Sequence, residues 1–564
     1  MRSTLAAGLN FRDHLLFSFF VNLLMLTGPL YMMQVYDRVL GSRSEATLVA
    51  LTLLVIFLYG MMGFLDFVRG RIMGRIAARF QSSLDKRVFE AMIRRAAVKN
   101  DPVAQTGLSD LEAIQKLVSS SVLSATFDVP WTPIFLVGIA LFHPWLGLLA
   151  LSGGVILIAI ALLNQLFTRE PQLRAGSKSH RAALLSDEIR KEAEMIQSMG
   201  MLDTAYERWK ETRGEALIES VAVTDIGGGY TTLTKTLRLF LQSAMLGLGA
   251  YLVLQNQMTP GAMIAGSILM GRALAPIEMI LGQWQLVQRA MKGWRNLAEL
   301  LTNVPEEQIC TELPKPRANL SVKTLAVVAP NTNKPLLRNI NFEVKPGLAI
   351  GVIGPSGSGK STLAKAITGV WKPASGSVRL DGAALDQFAP AVLGRYIGLL
   401  PQRALSFDGT VAQNIARLEL NPDSKKVVEA SQKAAAHEMI LKLPDGYDTW
   451  IGNNAGQLSG GQLQRVGLAR ALYDDPVIVI LDEPNSNLDN EGTIALNAAI
   501  KEIKSRGGAV LIMAHRPAAI QQCDMLLFID RGQQVAFGPR DEVLKAVVEN
   551  HKTLQTSREK GGIS

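Results

Sequence analysis

Residues 354–362 of the chain read Gly354-Pro355-Ser356-Gly357-Ser358-Gly359-Lys360-Ser361-Thr362. An apolar run, Gly347 to Ile353, precedes this segment and a helical pattern follows it, which is the strand–loop–helix context of the G-x-x-x-x-G-K-[ST] phosphate loop. Glycines let backbone N–H groups wrap phosphate oxygens, and a helix N-terminus favours an anion. We expect all nine residues to bind a nucleotide, Lys360 at its β- and γ-phosphates and Ser361 through Mg²⁺. The alternative is a glycine-rich turn that binds nothing.

A second apolar run ends in two carboxylates. Val477 to Leu481 reads as a buried strand, and Asp482 and Glu483 follow it directly. We expect Asp482 to hold Mg²⁺ and Glu483 to orient or deprotonate the water that attacks the γ-phosphate. Taken alone, the run is also compatible with a polar strand end that has no catalytic role, but beside the phosphate loop it is not.

Four shorter segments complete a recognisable set. Leu458-Ser459-Gly460-Gly461-Gln462 opens a helical pattern, and Ser-Gly-Gly at a helix N-terminus is another phosphate-binding device. Gln402 ends the apolar run IGLLPQ, Ser486-Asn487-Leu488-Asp489 follows the two carboxylates, and His515 ends the apolar run AVLIMAH. In this order and spacing, the set resembles the nucleotide-binding domain of ABC transporters.

The resemblance implies a role for each segment. Gln402 is implied as the Q-loop glutamine, which binds Mg²⁺ and takes part in hydrolysis, and His515 as the switch histidine at the γ-phosphate. Two such domains pair head to tail, so that the phosphate loop of one and the signature of the other enclose each ATP. The nucleotide ligands would then also include Ser459, Gly460, Gly461, Gln462 and Asp489. The chain carries one such domain, so we expect a homodimer that hydrolyses ATP with Mg²⁺.

Two stretches depart from the common pattern of this family. Leu325 to Pro330, where its exporters usually place an aromatic residue that stacks on adenine, contains none. Ile451 to Gln457, directly before the signature, lacks the acidic residue that many exporters carry there. The first departure leaves open how the base is held. The second leaves open any charge-based contact of this segment with the partner's cytoplasmic helices.

The composition indicates a membrane protein. Of 564 residues, 48% are hydrophobic and only 19% are charged, which excludes a disordered chain and argues against a purely soluble one. The two cysteines, Cys310 and Cys523, lie far apart, which argues against a disulfide framework or a cysteine-rich zinc site.

Six apolar runs near the length of a membrane span precede the phosphate loop. They are Leu15–Val35, Ala46–Val68, Val122–Phe142, Trp145–Phe167, Thr232–Leu254 and Pro260–Leu281. Six buried helices of a soluble protein are the alternative, but such helices usually show a polar face. The connections after the second and fourth runs carry nine Lys and Arg residues each, over 69–99 and 169–213, so we expect them in the cytoplasm. Since this bias accounts for much of the net charge of +9, no nucleic-acid partner is expected.

The predicted fold class is therefore an α-helical six-span transmembrane domain of the ABC exporter type, fused to an α/β P-loop ABC nucleotide-binding domain. We place the transmembrane domain, with long cytoplasmic helix extensions, at residues 1–303. The polar, proline-containing stretch 304–318 is the expected linker, 319–550 the nucleotide-binding domain and 551–564 a polar tail.

Local sequence narrows the kind of exporter. The segments Asp128–Pro133, His143–Gly147, Ser267–Glu278 and Glu483–Asp489 together resemble the type I secretion ATPases of the PrtD-like protease and lipase exporter group. The resemblance implies ATP-driven export of an unfolded polypeptide with an uncleaved C-terminal signal, from the bacterial inner membrane. It also implies an HlyD-type membrane fusion adaptor and a TolC-type outer-membrane channel as partners, besides membrane lipids. With about 14 residues before the first span, no N-terminal peptidase domain is expected. A lipid or small-molecule exporter of the same architecture is the alternative.

Charged residues inside the apolar runs are costly and usually face a cavity or each other. Arg272 and Glu278 lie in the sixth run, and Asp128 near the start of the third. One interpretation is that all three residues belong to the substrate path or to a gate. The alternative is that Asp128 and Glu278 lie near the cytoplasmic interface, while Arg272 forms a structural ion pair. The stretch Gly227–Gly229 before the fifth run is either a hinge or a helix break.

Overall fold

The structure is a computed structural model that describes residues 17–99, 101–306, 313–330, 334–452, 458–485, 490–514 and 520–546. The chain divides into two compact units. One consists of the residues up to Ile93 together with Pro102–Val304, and the other of Arg94–Asp101 together with the residues from Pro305 onward. The first unit is helical, and the second is built around a large sheet.

Long helices make up the first half of the described chain. They are α1 (Phe17–Ser42), α2 (Glu45–Val98), α3 (Pro102–Val118), α4 (Ser121–Phe142), α5 (Pro144–Lys191), α6 (Ala193–Ser198), α7 (Leu202–Leu254), α8 (Pro260–Gly282) and α9 (Trp284–Asn303). Six of them, α1, α2, α4, α5, α7 and α8, are long and apolar enough to cross a membrane. This confirms the six predicted spans.

Three of the spanning helices are far longer than a bilayer requires. Helices α2, α5 and α7 contain 54, 48 and 53 residues. At 1.5 Å per residue they measure about 70–80 Å, whereas the hydrocarbon core is about 30 Å thick. They therefore continue well beyond the membrane, as predicted. Gly227–Gly229 lie inside the uninterrupted helix α7, so the predicted helix break is wrong.

Among the described residues, charged side chains of the spanning helices pair between helices at two places near the apolar runs. Arg69 of α2 contacts Asp128 of α4 at 3.2 Å, and Arg238 of α7 contacts Glu278 of α8 at 2.9 Å. Asp128 also accepts a hydrogen bond of 2.8 Å from Asn22 of α1. Arg272, in contrast, is exposed and has no hydrogen-bond or ion-pair partner among the described residues. The structure thus places Asp128 and Glu278 in pairs, but not Arg272.

The second unit contains a ten-stranded sheet. Its strands are β1 (Leu320–Val328), β2 (Pro335–Val344), β3 (Ala349–Ile353), β4 (Ser375–Leu380), β5 (Ala383–Ala384), β6 (Ile397–Leu400), β9 (Ile478–Asp482), β10 (Ala509–Ala514), β11 (Met525–Asp530) and β12 (Gln533–Pro539). Their order in the sheet is β5-β4-β1-β2-β12-β11-β3-β10-β9-β6. A small separate sheet pairs β7 (Gly409–Thr410) with β8 (Trp450–Ile451).

Helices connect and cover these strands. They are α10 (Lys360–Ile367), α11 (Pro390–Tyr396), α12 (Val411–Ile415), α13 (Ser424–Lys433), α14 (His437–Leu441), α15 (Gly460–Leu472) and α16 (Asn490–Ser505). Strands β9 and β10 consist mainly of apolar residues and are buried along their whole length. Strands of this kind must be packed against other elements on both faces of the sheet. Two separate hydrophobic cores, one containing Val479 and Val510 and the other Ile480 and Leu511, provide this packing.

Four neighbouring strands run parallel and determine where the site lies. Strand β3 pairs with β10, β10 with β9, and β9 with β6, each in parallel register. The carboxyl ends of these strands therefore meet at one edge of the sheet, which is where ligands bind in open α/β sheets.

Candidate nucleotide-binding site

The parallel strands bring three of the predicted segments together at one edge. The phosphate loop follows β3, Asp482 is the last residue of β9 with Glu483 directly after it, and Gln402 follows β6 by two positions. The strands begin and end within two residues of the predicted boundaries. Residues that are 80 or more positions apart in sequence thus become neighbours through the sheet pairing.

The phosphate loop has a backbone that requires its glycines. Gly359 has a φ of 106° and Gly354 a φ of 156°, and a Cβ atom at Gly354 would lie 2.1 Å from the carbonyl oxygen of Ile529. Glycine adopts such conformations without the steric penalty that other residues incur. Helix α10 then begins at Lys360, so that its free N–H groups and the loop face the same space.

Lys360 is buried against the loop that it terminates. Its Nζ atom donates hydrogen bonds to the carbonyl oxygens of Gly354 at 2.9 Å and Pro355 at 3.0 Å. Burial lowers the pKa of the Lys360 ammonium, while the nearby carboxylates of Glu483 and Asp482 act in the opposite direction. The Lys360 ammonium is thus held at the loop by two carbonyl groups, and phosphate oxygens could replace these carbonyls as its hydrogen-bond acceptors.

Ser358 has a buried hydroxyl group that faces the phosphate loop without a hydrogen-bond partner among the described residues. The residue is 3% exposed, and its Oγ atom lacks a hydrogen bond among the described residues. Buried polar atoms in folded proteins are nearly always satisfied, so an unpaired one at a phosphate loop indicates a ligand contact. The Ser358 carbonyl accepts a hydrogen bond of 3.1 Å from the N–H of Gly532.

The carboxylates at the end of β9 differ in their surroundings. Asp482 is 6% exposed, and burial raises the pKa of its carboxyl, against the opposing effects of a hydrogen bond from the Ser361 hydroxyl and the charge of Lys360. A cation bound beside Asp482 would offset the energetic cost of burying its carboxylate. Ser361 and Asp482 are both oxygen donors of the kind that Mg²⁺ prefers, and together they fit a magnesium ion that also binds phosphate.

Glu483 has a strained backbone. Its φ is 52°, in the left-handed region that a residue with a side chain rarely adopts, and its N–H donates to the carbonyl of Met513 at 2.9 Å. Strain of this kind persists only where surrounding structure enforces it, and it is concentrated at functional sites. The side chain accepts a hydrogen bond of 3.0 Å from Nε2 of Gln402. No cluster of three or more His, Cys, Asp or Glu side chains able to hold a metal occurs within the described ranges.

The signature forms the N-terminus of α15. Ser459 is the N-cap, and its side chain accepts a hydrogen bond from the Gln462 N–H at 3.3 Å. The Gln462 side chain accepts one from the Ser459 N–H at 2.8 Å, which completes a capping box. Gly460 is exposed beside it, so this helix N-terminus is open to an anion.

Some of the predicted residues lie outside the described ranges. These are His515, the segment Ser486–Asp489 and residues 453–457 of the stretch before the signature. The roles assigned to them stay predictions.

Sequence reasoning missed two supports of the site. One is the two-residue turn between β11 and β12, whose Gly532 donates a hydrogen bond to the phosphate loop. Arg531 and Gly532 both have positive φ, and the glycine between two apolar runs is the signal that could have indicated the hairpin. The other is a buried group of polar residues around Arg470 and Asn414, for which no local pattern exists in the sequence.

Comparisons with known proteins agree with this geometry. The family model described as ABC transporter transmembrane region matches residues 14–275, and the ABC transporter model matches residues 337–486. The type I secretion system ATP-binding protein PrsD of Rhizobium meliloti (strain 1021) is 43% identical over 94% of this chain and 91% of its own length. The leukotoxin translocation ATP-binding protein LktB of Mannheimia haemolytica is 29% identical over 95% of this chain and 76% of its own.

A solved structure shows the same fold. A bacterial Atm1-family ABC exporter with ATP bound superposes with a TM-score of 0.80 and covers 97% of both chains, at 20% sequence identity. The six spans and the nucleotide-binding unit describe a multi-pass protein of the inner membrane whose ABC domain is cytoplasmic. The chain binds nucleotide and couples its hydrolysis to transport, and it belongs to the ABC transporter family, among the type I secretion ATP-binding proteins.

Proposed function

We propose that this chain is the ATPase and permease of a type I secretion system, which exports an unfolded polypeptide carrying an uncleaved C-terminal signal. The observation that carries the proposal is the 43% identity with a type I secretion protein over 94% of the chain, membrane spans included. The nucleotide motifs alone are compatible with any ABC transporter. Sequence identity across the membrane spans, in contrast, supports transport of the same class of substrate.

We assign ATP to the phosphate loop and Mg²⁺ to the neighbouring oxygen ligands. Backbone N–H groups of residues 354–362 would bind the β- and γ-phosphates, with Lys360 donating to them in place of the two carbonyls. The buried hydroxyl of Ser358 would donate to a phosphate oxygen. Ser361 and Asp482 would hold Mg²⁺, together with the side-chain oxygen of Gln402. Bound Mg²⁺ would offset the negative charge that develops on the transferred phosphoryl group.

Hydrolysis is assigned to Glu483. Its carboxylate would accept a proton from, or orient, the attacking water, and the hydrogen bond from Gln402 supports the orientation that this requires. His515 is proposed to contact the γ-phosphate. Gln402 thus bridges the metal site and the catalytic carboxylate, and can report the presence of nucleotide to the segment that follows it.

A homodimer would complete each ATP site. In the described chain the signature N-terminus is exposed, and its Ser459 and Gln462 satisfy each other. A second copy arranged head to tail would place its γ-phosphate at Ser459, Gly460 and Gly461, with Gln462 and Asp489 close by. ATP binding would then close the dimer and hydrolysis reopen it.

We further propose an HlyD-type adaptor and a TolC-type outer-membrane channel as partners. An inner-membrane exporter alone releases cargo on the outer side of that membrane only, and a continuous conduit is needed to reach the medium. For the domain limits we propose 1–303, a linker 304–318, 319–550 and a tail 551–564.

The experiment that tests this function compares the proteins released into culture medium. Cells expressing the native chain, the Glu483→Gln variant or the Glu429→Gln control at matched levels are analysed by mass spectrometry. Glu429 is exposed on α13 and is not one of the residues assigned to the site. Selective loss of one or a few full-length polypeptides with Glu483→Gln alone supports the proposal. Medium proteins that stay unchanged, under conditions where candidate cargo is expressed, favour the lipid or small-molecule exporter instead.

A further inference from the structure

One side of the signature helix contacts the chain next to two site residues, Glu483 and Gln402. Gln464, Gly467 and Arg470 follow one another at intervals of three residues on α15, so they share a face of the helix. Gln464 donates a hydrogen bond to the carbonyl of Pro484, the residue after Glu483. This face therefore starts beside the residue that follows the catalytic Glu483 and runs away from it along the helix.

The middle of the same face is packed against the segment that follows Gln402. A Cβ atom at Gly467 would lie 3.1 Å from the Cβ of Ala404 and 3.1 Å from a methyl group of Leu400. Glycine at this position lets the helix approach the chain on both sides of Gln402. A larger side chain would separate the two.

Arg470 ties the far end of this face to the same segment. Its guanidinium donates to the carbonyl of Leu405 at 2.9 Å, and to the backbone and side-chain oxygens of Asn414 at 2.7 and 2.8 Å. It also lies 5.1 Å from the ring centre of Phe407. One side chain of the signature helix thus makes three hydrogen bonds and a cation–π contact around the segment 405–414.

Asn414 completes the connection. It is fully buried, its side-chain oxygen accepts the N–H of Phe407 at 2.8 Å, and its amide donates to the carbonyls of Phe407 at 2.9 Å and Thr410 at 3.1 Å. The segment that begins at Gln402 is therefore held on α15 along its length. Burial lowers the pKa of Arg470, so the guanidinium is partly desolvated and its hydrogen bonds are correspondingly strong.

We propose that Arg470 is a positioning residue that makes the signature helix move with Gln402. Gln402 contacts the catalytic Glu483 of its own site, whereas the signature at the other end of α15 serves the site of the partner subunit. A rigid connection between the two would let nucleotide at one site set the orientation of the signature that the other site needs. The proposal rests on the proposed function, and it adds a route by which the two ATP sites of the dimer are coupled.

The expected behaviour separates nucleotide binding from turnover. Binding of ADP needs only the phosphate loop, which Arg470 does not touch. Turnover needs the signature of the partner in register with the γ-phosphate. Arg470→Met should therefore leave ADP affinity within about twofold and lower the maximal ATPase rate about tenfold, the effect of losing roughly 1–2 kcal/mol of positioning hydrogen bonds.

A second buried arginine provides a matched control. Arg417 donates to the carbonyl oxygens of Arg470 at 3.3 Å and Tyr473 at 3.0 Å, and to that of Gly394. It thus holds the C-terminal end of the same helix, and burial lowers its pKa as well. Among the described residues, Arg417 donates no hydrogen bond to the segment 402–410. Arg417→Met should lower the Tm like Arg470→Met but keep the ATPase rate within about twofold, because the connection to Gln402 survives.

The experiment measures ADP affinity, ATPase rate at saturating Mg-ATP and Tm on the purified full-length protein with each substitution. Arg470→Lys, which keeps the charge but not the planar fork, is measured in parallel and replaces Arg470→Met if the latter does not fold. A rate loss with Arg470→Met, normal ADP affinity and a near-normal rate with Arg417→Met support the proposal. Equal rate losses in both variants, a parallel loss of ADP affinity or an unchanged rate overturn it. Native protein without ATPase activity would instead contradict the proposed function.

Discussion

At the residue scale, Lys360 shows how the site is prepared for its ligand. The residue is 6% exposed and its ammonium donates hydrogen bonds to two loop carbonyls, so its charge is held in place before any anion arrives. Preorganised donors of this kind bind a ligand without the cost of ordering a free side chain. The same side chain lies near the carboxylates of Asp482 and Glu483 at the end of β9, which stabilise its positive charge.

Replacing Lys360 by alanine should weaken nucleotide binding. A charge-assisted hydrogen bond in a partly buried site contributes about 1.5–3 kcal/mol, so we expect ATP and ADP affinity to fall by at least about tenfold. Equilibrium binding of a fluorescent nucleotide to the purified protein measures this. Lys372→Ala, which removes an exposed lysine just after the helix that Lys360 begins, should leave affinity unchanged. Equal affinities for the native and Lys360→Ala proteins would refute the assignment.

Replacing Glu483 by glutamine should separate binding from hydrolysis. The amide keeps the size and hydrogen-bonding shape of the side chain, but it accepts no proton. We expect ATP to bind normally and the ATPase rate to fall by about 10²–10⁴, the range of general acid–base effects. Phosphate release at saturating Mg-ATP is the measurement. Turnover close to that of the native protein would move the catalytic base elsewhere.

At the element scale, the outer ends of α1 and α8 are joined by one carboxylate. Asp37, in a π-helical turn of α1, accepts a hydrogen bond of 2.9 Å from the N–H of Gly261 and one of 2.7 Å from the Thr259 hydroxyl. Thr259 is also the N-cap of α8. The N-terminus of one membrane helix is thus capped by a side chain of another, which couples the two helices at this end.

Gly261→Ala should weaken this connection. The added Cβ would lie 2.6 Å from the carboxylate atoms of Asp37, so the cap must move, and overpacking of this size costs about 1–3 kcal/mol. We expect a lower Tm in thermal unfolding of the detergent-purified protein. Gly247→Ala on α7 is the control, because nothing lies within 4 Å of its Cβ and alanine favours the helix. A Tm for Gly261→Ala equal to that of the control would show that the cap contributes nothing.

At the scale of the whole molecule, the proposed head-to-tail dimer makes a prediction about mixed dimers. One chain carries Lys360→Ala with an intact signature, and the other carries Gly461→Asp, whose carboxylate would repel a phosphate at the N-terminus of α15. Each homodimer should be inactive. The mixed dimer contains one site with both an intact phosphate loop and an intact signature, so its ATPase activity should clearly exceed that of either homodimer.

Co-expression with two different affinity tags, followed by purification on both, yields the mixed dimer for this measurement. A mixed dimer as inactive as both homodimers would indicate that each site uses the phosphate loop and the signature of one chain. Native chains carrying the two tags, purified in the same way, show that the procedure itself preserves activity.

The architecture and the nucleotide motifs were predictable because they depend on local pattern. Six runs of apolar residues define spans by length, and the segment from Gly354 to Thr362 is defined by spacing. The alternation of apolar runs with Gln402 and Asp482 at their ends predicts a common edge, since parallel strands present their carboxyl ends together. Gly227–Gly229 shows the limit of such reasoning, because glycines within a long helix whose turns satisfy the backbone need not interrupt it.

Contacts between distant residues had no such pattern. The strained backbone of Glu483, the pairing of Arg69 with Asp128 and the hold of Arg470 on Leu405 each depend on how whole elements pack. Asp37 and Gly261, 224 positions apart, meet only because α1 and α8 lie side by side. Spacing along the chain thus specifies which groups can bind phosphate and which segments can cross a membrane, since both are short-range properties. Tertiary packing decides which of the remaining charges and glycines join one element to another, because that depends on distances the chain sequence does not contain.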